Sequence, residues 1–425
     1  MTENPISETR LEPTQAVESL WKHTDFLKLW SAQTVSAFGD QFTALALPLI
    51  AVILLKATAI QMGILTAVER APFLLLSLFA GVWVDRLPRR PILMISDLGR
   101  AMILFSIPLA AFGHWLSMPQ LYLVALLVGV LGVFFDISYQ AILPAIVHRK
   151  QLVEGNGKLE ATRSMARLAG PGLAGAAIQY VSAPAAIVVD AFSFLISGGV
   201  IGTMTEREHH RNQPSKSPML AEIRDGLSVV FGNRLLRSLV GCTATANLFS
   251  SALFALYILF ATRVLALSPA KIGLIFSLGS VSGLLGALGA RRLATRFGLG
   301  RVIVAAILIS GFGMIPVALA TPHLALPLLV LASLLSSFGI PVYNINQISL
   351  RQAIVPNHLQ GRMNATMRFI SWGVMPLGSL ASGALGGALG LRAGIAIAVA
   401  GGSFAFMWVL LSPVRHLRTI PEQVD

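Results

Sequence analysis

The sequence predicts an all-α membrane protein with twelve transmembrane helices in two pseudo-symmetric six-helix bundles. Of its 425 residues, 55% are hydrophobic and only 12% are charged, and the mean hydropathy is +0.74. Globular chains carry about 25% charged residues, so this chain has more apolar surface than one or two soluble cores can bury. A helical span needs roughly 20 apolar residues, and twelve such stretches alternate with short polar loops. Lipid is therefore expected to cover the outer surface.

The expected spans divide into six per half. A segment over 1–29 precedes the first bundle, 30–204; a linker over 205–237 leads to the second bundle, 238–412, and to a tail over 413–425. The individual spans are expected at about 30–54, 61–84, 91–113, 120–147, 158–181, 184–204, 238–262, 271–290, 302–320, 324–350, 363–389 and 391–412.

The chain repeats one unit at about half its length. Gln61-Met62-Gly63-Ile64-Leu65 opens an apolar segment, and adding 210 to each number gives Lys271-Ile272-Gly273-Leu274-Ile275, which opens another. Gly170-Pro171-Gly172 has a counterpart 206 residues later in Pro376-Leu377-Gly378. Half-chain repeats in an apolar protein are typical of transporters whose binding site lies where the halves meet.

Basic residues in the short loops are unequal on the two predicted sides. By the positive-inside rule, this asymmetry places both termini in the cytoplasm. The first 26 residues are charged and lack an apolar core, so we do not expect a cleaved signal. The net charge of +13 is then explained by topology and anionic lipid, and no clustered basic face suggests nucleic acid. One side carries Arg86, Arg89, Arg90, Arg149, Lys150, Arg291, Arg292, Arg296, Arg301, Arg351, Arg362, Arg415 and Arg418, and the other carries Lys56, Arg263, Lys271 and Arg392.

The long polar stretch from Thr205 to Pro218 is predicted to link the halves. Beyond it, apolar residues near helical spacing over 220–236 predict a helix lying in the membrane interface. His209 and His210 could bind a metal, but a solvated linker is the better interpretation. The single cysteine, Cys242, excludes an internal disulfide and offers no metal cluster.

A motif between spans two and three identifies a family. Gly81, Asp85, Arg86, Arg89 and Arg90 form the pattern Gly-x-x-x-Asp-Arg-x-x-Arg-Arg, which resembles the signature loop of the major facilitator superfamily. Further short motifs resemble its drug and siderophore exporter branch, which includes macrolide efflux pumps and the enterobactin exporter. These motifs are Phe38-Gly39-Asp40, Leu143-Pro144-Ala145-Ile146-Val147, Gly170-Pro171-Gly172-Leu173-Ala174-Gly175, Gly361-Arg362 and Pro376-Leu377-Gly378.

The same loop has a mechanical interpretation. Asp85 and the neighbouring arginines, with Asp97 and Arg100 in span three, could hold cytoplasmic helix ends together and separate when the bundles rock. We call this set, with Gly81, the cytoplasmic latch. The alternative is that its arginines only set topology and contact lipid phosphates. The second repeat has Thr295 in place of the acid, so the latch is expected to be stronger in the first half.

Span five carries Gly157, Gly170, Pro171 and Gly175, which partly match the antiporter signature of the superfamily. Small residues permit close helix packing, and a proline frees a carbonyl and bends the helix. The resemblance therefore implies export by antiport. Glycine and proline are also common in membrane helices for packing alone, and that alternative stays open.

Acids inside the membrane are costly and mark candidate sites. Asp40 in span one and Glu69 in span two both lie near the predicted midplane, and either could carry a proton or another cation. Gln33 and Ser36 lie on the same polar stripe as Asp40 and should face a cavity. A static ion pair or an interhelical hydrogen bond is the alternative for both acids.

Other polar residues are candidates for the cavity or the substrate site. Arg368 and Trp372, one turn apart, could form a stacking platform, and Asp190 in span six is interpreted as the partner of an arginine. Span four contains no arginine, although many proton-driven exporters of the superfamily have one there. The remaining candidates are Asp136, Tyr139, Gln140, Tyr343, Asn344 and Asn346.

The sequence therefore predicts a secondary active transporter, with no enzyme activity, no cofactor and no metal. ATP-binding and zinc-protease motifs are absent from it, so an ion gradient is the expected energy source. The leading hypothesis is a monomeric, proton-coupled exporter of amphipathic small molecules in the inner membrane, in contact with lipid. The alternatives are a dedicated siderophore, natural-product or lipid exporter, and, less favoured, a polytopic membrane enzyme.

Overall fold

The computed structural model describes residues 20–148, 151–205 and 219–419, and these residues form helices without a β-strand. The α-helices are α1 (Thr24–Ile53), α2 (Ala59–Arg86), α3 (Arg89–Phe112), α4 (Met118–Ile146), α5 (Leu152–Tyr180), α6 (Ala183–Gly202), α7 (Met219–Gly232), α8 (Arg234–Arg263), α9 (Pro269–Phe297), α10 (Leu299–Phe312), α11 (Ile315–Leu319), α12 (Ala325–Ile354), α13 (Asn357–Gly373), α14 (Met375–Leu389), α15 (Leu391–Ser403) and α16 (Met407–Leu410). Short 3-10 helices lie at Leu20–Lys22 and Pro413–His416.

Within the described residues, eleven segments are long and apolar enough to cross a membrane. The predicted span five corresponds to α5, which is long enough at 29 residues but carries several charges, so it lies outside those eleven. Three predicted spans are each built from two helices in line: α10 with α11, α13 with α14, and α15 with α16. Residues 206–218 of the predicted linker lie outside the described residues, and α7 occupies the place of the expected interfacial helix.

Successive spans run in opposite directions, so the bundle has two faces. We call the face where α1 begins and α16 ends the terminal face, and the opposite one the distal face. At the distal face the loop between α1 and α2 is short, because Thr58 caps α2. Its hydroxyl accepts from the Gln61 amide at 3.3 Å, and the Gln61 side chain accepts from the Thr58 amide at 2.9 Å.

Glycines bring the two halves together near the distal face. An added Cβ at Gly63 of α2 would lie 2.8 Å from the Gly383 Cα of α14. An added Cβ at Gly273 of α9 would lie 3.0 Å from the Gly175 Cα of α5. Adding 210 to 63 gives 273, and adding 208 to 175 gives 383, so the repeat seen in the sequence is also a repeat of packing. We call these contacts the glycine crossings.

The buried apolar residues show where the halves separate. One core cluster draws residues from both halves and lies toward the distal face, with Leu49, Ile50, Leu256 and Phe260 among its members. Toward the terminal face the described core divides into two clusters, one formed only by the first half and one only by α7 and the second half. Among the described residues, the halves therefore share a core at the distal face and have separate cores at the terminal face.

Candidate functional site

A cavity of about 450 Å³ lies at mid-depth in the first bundle and is bordered on one side by the second. Its walls combine apolar and aromatic side chains with several charged ones. Trp372 and Met375, on either side of the break between α13 and α14, are the second-half residues that line it. The charged residues in its lining are Asp40, Glu69, Arg70, Arg100, Asp136 and Asp190.

Asp40 of α1 lies inside the protein, and its side chain is exposed to this cavity. The neighbouring residue is Gly39, and a Cβ there would lie 2.5 Å from the Asp190 Oδ1 of α6. The missing side chain lets α6 approach α1, so Asp190 lies next to Asp40 and is 1% exposed. Asp190 therefore has another acid as its neighbour, and the described residues give it no ion pair with an arginine, unlike the interpretation from sequence.

Asp97 and Arg100 of α3 pair with each other in the interior of the first bundle. Asp97 also accepts a hydrogen bond from the Ser197 hydroxyl at 2.6 Å. The Arg100 guanidinium carbon lies 4.4 Å from the centre of the Phe135 ring and 4.0 Å from that of Phe194. This arrangement, with both charges buried, paired and stacked, holds a positive charge at the cavity wall.

The latch prediction involves other residues that the structure shows only in part. The side chains of Gly81, Asp85 and Arg86 lie outside the described residues. Arg90 donates hydrogen bonds to the carbonyls of Ile201 and Gly202, at the end of α6. Basic side chains favour such helix C-termini because the carbonyls there lack intrahelical partners. Asp97 and Arg100 form their own pair, and the mechanical role of the latch stays a prediction for Arg89 as for the others.

Asp136 of α4 and Glu69 of α2 are exposed to the same cavity. Three arginines lie within electrostatic range of Asp136: Arg100, Arg163 and Arg368. The Arg163 guanidinium lies over the Tyr139 ring, 4.4 Å from its centre. Positive charge therefore reaches Asp136 from α3, α5 and α13, although α4 itself contains no arginine.

The predicted stacking platform gains a third member. The rings of Phe73 and Trp372 are 4.4 Å apart with planes at 42°. The Arg368 guanidinium carbon lies 5.0 Å from the Trp372 ring and 5.2 Å from that of Phe73. The two aromatics come from different halves, so this contact joins α2 to α13 at the cavity.

Other sequence candidates lie away from this cavity. Gln33 and Ser36 are buried on α1, and Gln140 is exposed on α4. In the second half, Tyr343 and Asn344 line a separate cavity of about 140 Å³. The Tyr343 hydroxyl there lies 2.9 Å from that of Thr243, and Asn346 is buried and donates to the Val342 carbonyl at 2.8 Å.

The glycines of α5 differ in their surroundings. At Gly170 an added Cβ would meet Gln41 of α1 at 2.4 Å, and at Gly175 it would meet the Pro269 carbonyl oxygen of α9 at 2.6 Å. Gly157 has open space around it. The helix is continuous through Pro171. Close packing thus explains two of the four motif positions, and the proposed bending role is a prediction.

One feature of the sequence explains where the membrane-embedded acids lie. Between Asp225 and Glu422 the chain contains neither aspartate nor glutamate. All the acids that line the cavity come from the first half. Sequence reasoning could have found this asymmetry by comparing the halves, and it would then have given Asp190 more weight.

Comparisons with known proteins agree on the kind of molecule. The sequence profile described as Major Facilitator Superfamily matches residues 29–375. The multidrug efflux pump Tap of Mycolicibacterium fortuitum is 29% identical over 385 residues, which cover 86% of this chain and 90% of that protein. Tap of Mycobacterium bovis (strain BCG / Pasteur 1173P2) is 27% identical over 406 residues, covering 92% and 94%.

A solved structure agrees in fold. The inward-facing crystal structure of a bacterial homologue of the iron transporter ferroportin superposes with a TM-score of 0.75 at 16% identity, covering 93% of this chain and 99% of that one. Its outward-facing structure gives a TM-score of 0.60 at 17% identity, covering 91% and 98%. Both structures therefore have the same overall fold as this chain.

Proposed function

The chain belongs to the Major Facilitator Superfamily, and we propose that within this family of transporters it is a proton-coupled exporter of amphipathic small molecules that works by alternating access. The relatives named multidrug efflux pumps support a broad range of organic substrates. The apolar, aromatic and acidic walls of the cavity support amphipathic ones, since apolar surfaces bind the body of a ligand and a few polar groups orient it.

One observation carries the proposal: the cavity lies at mid-depth, between a face where the described halves have separate cores and a face where the glycine crossings join them. Basic loops predict that the terminal face is cytoplasmic, with both termini there, in the inner membrane. An exporter loads its substrate from this side. Rocking the halves would then open the distal face, as in other transporters built from repeats.

Proton coupling is proposed because the cavity contains carboxylates and because the membrane potential favours movement of a charge. One charge that crosses 100 mV gains roughly 2.3 kcal/mol. Asp40 and Glu69 are the carriers predicted from sequence, and both line the cavity. A proton that binds one of these acids neutralises it and so changes the balance between the two open states.

A dedicated exporter of an anionic natural product, such as a siderophore, is the second candidate. Four arginines favour it: Arg70 and Arg100 line the cavity, and Arg163 and Arg368 lie within electrostatic range of Asp136. Guanidinium groups bind carboxylates in a fixed two-point geometry, which suits a single anionic cargo. Lipid export and enzyme activity receive no such support from the cavity.

The test uses inside-out membrane vesicles that carry the protein, with and without an imposed pH gradient. We expect accumulation of cationic or neutral dyes and macrolides that a protonophore abolishes, and none in vesicles that lack the protein. Accumulation restricted to anionic siderophores would favour the second candidate. Absence of gradient-driven accumulation of every probe would refute proton-coupled export of these classes.

A further inference from the structure

Two acids from different helices meet where α1 and α6 cross. The crossing is close because Gly39 has no side chain: a Cβ there would lie 2.0 Å from the Ser193 Oγ and 2.5 Å from the Asp190 Oδ1. The Asp190 carboxylate thus packs against the backbone of the residue that precedes Asp40. Both acids line the same cavity, Asp40 exposed to it and Asp190 behind it at 1% exposure.

The Asp190 carboxylate is only half satisfied. Its Oδ1 accepts a hydrogen bond from the Ser193 hydroxyl at 3.1 Å. Its Oδ2 is buried without a hydrogen bond of normal geometry, and the Thr43 hydroxyl on α1 lies close enough to interact with this carboxylate. A buried polar atom without a partner costs about 1–3 kcal/mol and calls for an explanation. The Thr43 hydroxyl can donate to an ionised Oδ2 or accept from a protonated one, so this contact is compatible with a proton on the carboxylate.

The charged groups around the cavity carry one more negative than positive charge, which one proton would neutralise. Arg100, the nearest arginine, is already paired with Asp97. On α5, Arg167 is paired with Glu160. Around the cavity five carboxylates face four arginines, so one negative charge is in excess. The carboxylates are Asp40, Glu69, Asp97, Asp136 and Asp190, and the arginines are Arg70, Arg100, Arg163 and Arg368.

We propose that Asp40 and Asp190 form a carboxylate pair that holds one proton between them, and that this pair is the coupling site of the transporter. Two adjacent carboxylates, one of them buried, cannot both stay ionised at low cost, so the pair takes up a proton as a unit. Glu69 is less suited, because it adjoins Arg70 in the chain. The coupling role rests on the proposed function, whereas proton binding does not.

Access to the pair follows from the same geometry. Asp40 meets the cavity, so a proton can exchange with water there and pass to the buried Asp190. Since the second half contains no acid between Asp225 and Glu422, a carboxylate site within the spans has to lie in the first half. A cationic substrate that enters the cavity would repel the proton from the pair and so favour its release.

Infrared spectroscopy of the purified protein tests the pair without a substrate. A protonated carboxyl group has a C=O stretch that a carboxylate lacks, and titration with alkali removes it. We expect this band at neutral pH in the wild type and its loss in both Asp40→Asn and Asp190→Asn. Asp136→Asn, which removes another carboxylate of the same cavity, should keep the band.

Several outcomes would overturn the pair. A band lost in Asp40→Asn but kept in Asp190→Asn would place the proton on Asp40 alone, and a band kept in both would place it elsewhere. A band that sodium ions remove at constant pH would make the site a metal-ion site. Asparagine has the shape of aspartate, and the elution volume and helicity of each variant check its fold.

A second variant keeps both acids in place. Thr43→Val removes the hydroxyl that would accept the proton's hydrogen bond, so the C=O band should shift in frequency. An unshifted band in this variant would contradict the proposed donor. Vesicle transport separates the two proposals: Asp190→Asn should lose dye accumulation driven by a pH gradient but keep dye counterflow. If the wild type accumulates no dye, the proposed function fails, and the infrared result still decides proton binding.

Discussion

Replacing a glycine at a crossing by alanine should open the distal face. Gly273 is the most confined of these positions, since an added Cβ would lie 2.2 Å from the Pro171 carbonyl oxygen. The contact is formed only while α5 and α9 touch at the distal face. The added methyl group therefore raises the free energy of the conformation described here. It does not raise the free energy of a conformation in which this face is open.

The structure gives the size of the effect. Real Cβ contacts almost never fall below 3.0 Å, so α5 and α9 must separate by about 0.8 Å at Gly273. The contact joins the added Cβ to a backbone carbonyl oxygen, so a change of side-chain rotamer cannot relieve it. Forced overpacking of this kind costs about 1–3 kcal/mol, which corresponds to about a 5- to 150-fold shift between two states. Alanine also stabilises a helix by about 1 kcal/mol relative to glycine. This gain is the same in both conformations, so it does not change the equilibrium between them.

The other crossings supply a graded series. The closest approach of an added Cβ is 2.6 Å at Gly63, where it meets the Ser379 carbonyl, and 3.0 Å at Gly383, where it meets the Ala59 carbonyl. We expect Gly273→Ala to open the distal face most, Gly63→Ala less and Gly383→Ala least. Gly157→Ala is the matched control, because it adds the same methyl group to α5 in open space.

Distances between spin labels measure the opening. The chain has one cysteine, Cys242, which is buried. In a Cys242→Ser background, Ser117→Cys and His323→Cys place labels on exposed residues of the distal face, one in each half. Gly273→Ala should add a population with a longer distance. If its distance distribution equals that of the wild type and of Gly157→Ala, the glycine crossings do not control this face.

Three further variants test separate parts of the site. Arg100→Leu leaves Asp97 buried without its partner, which should cost about 3–5 kcal/mol of stability. Thermal unfolding should show a lower Tm, which adding Asp97→Asn should partly restore. If the second substitution restores nothing, loss of the pair is not the cause of the lower Tm. Glu69→Gln should weaken binding of a cationic dye by about two- to fivefold without affecting an anionic one, as fluorescence titration would show, and equal effects on both would exclude a charge role. Asp85→Asn should abolish most dye transport at an unchanged protein level in the membrane, and normal transport would refute the latch.

Most of the fold could be predicted from the sequence, because the length and apolar character of each span are local properties. The breaks within spans were less accessible. The break at Val374 comes just before Pro376, a residue that cannot donate an amide to the helix, yet α5 stays continuous through Pro171. A proline thus accompanies a helix break in the second half and a continuous helix in the first. The difference depends on tertiary packing, which cannot be read from the sequence.

The candidate site could be predicted only in part, because some of its residues are brought together by tertiary packing. Asp40, Glu69 and Asp136 could be recognised as costly charges in apolar segments, and all three line one cavity. The position of Asp190 depends on how closely α6 approaches Gly39, a tertiary property. Tyr343 and Asn344, which occupy the related place in the second half, line another cavity because the two halves enclose separate spaces at this depth.

The asymmetry between the halves limits how a proton could act on the whole molecule. The acids that would bind it belong to the first half, whereas the proposed alternating access would move both halves. At the cavity the second half contributes Trp372 and Met375, and Trp372 packs against Phe73 of α2. The helix α2 also forms a glycine crossing through Gly63. A change in charge at the cavity can therefore reach the distal face along α2, with the contact between Phe73 and Trp372 as its first step into the second half.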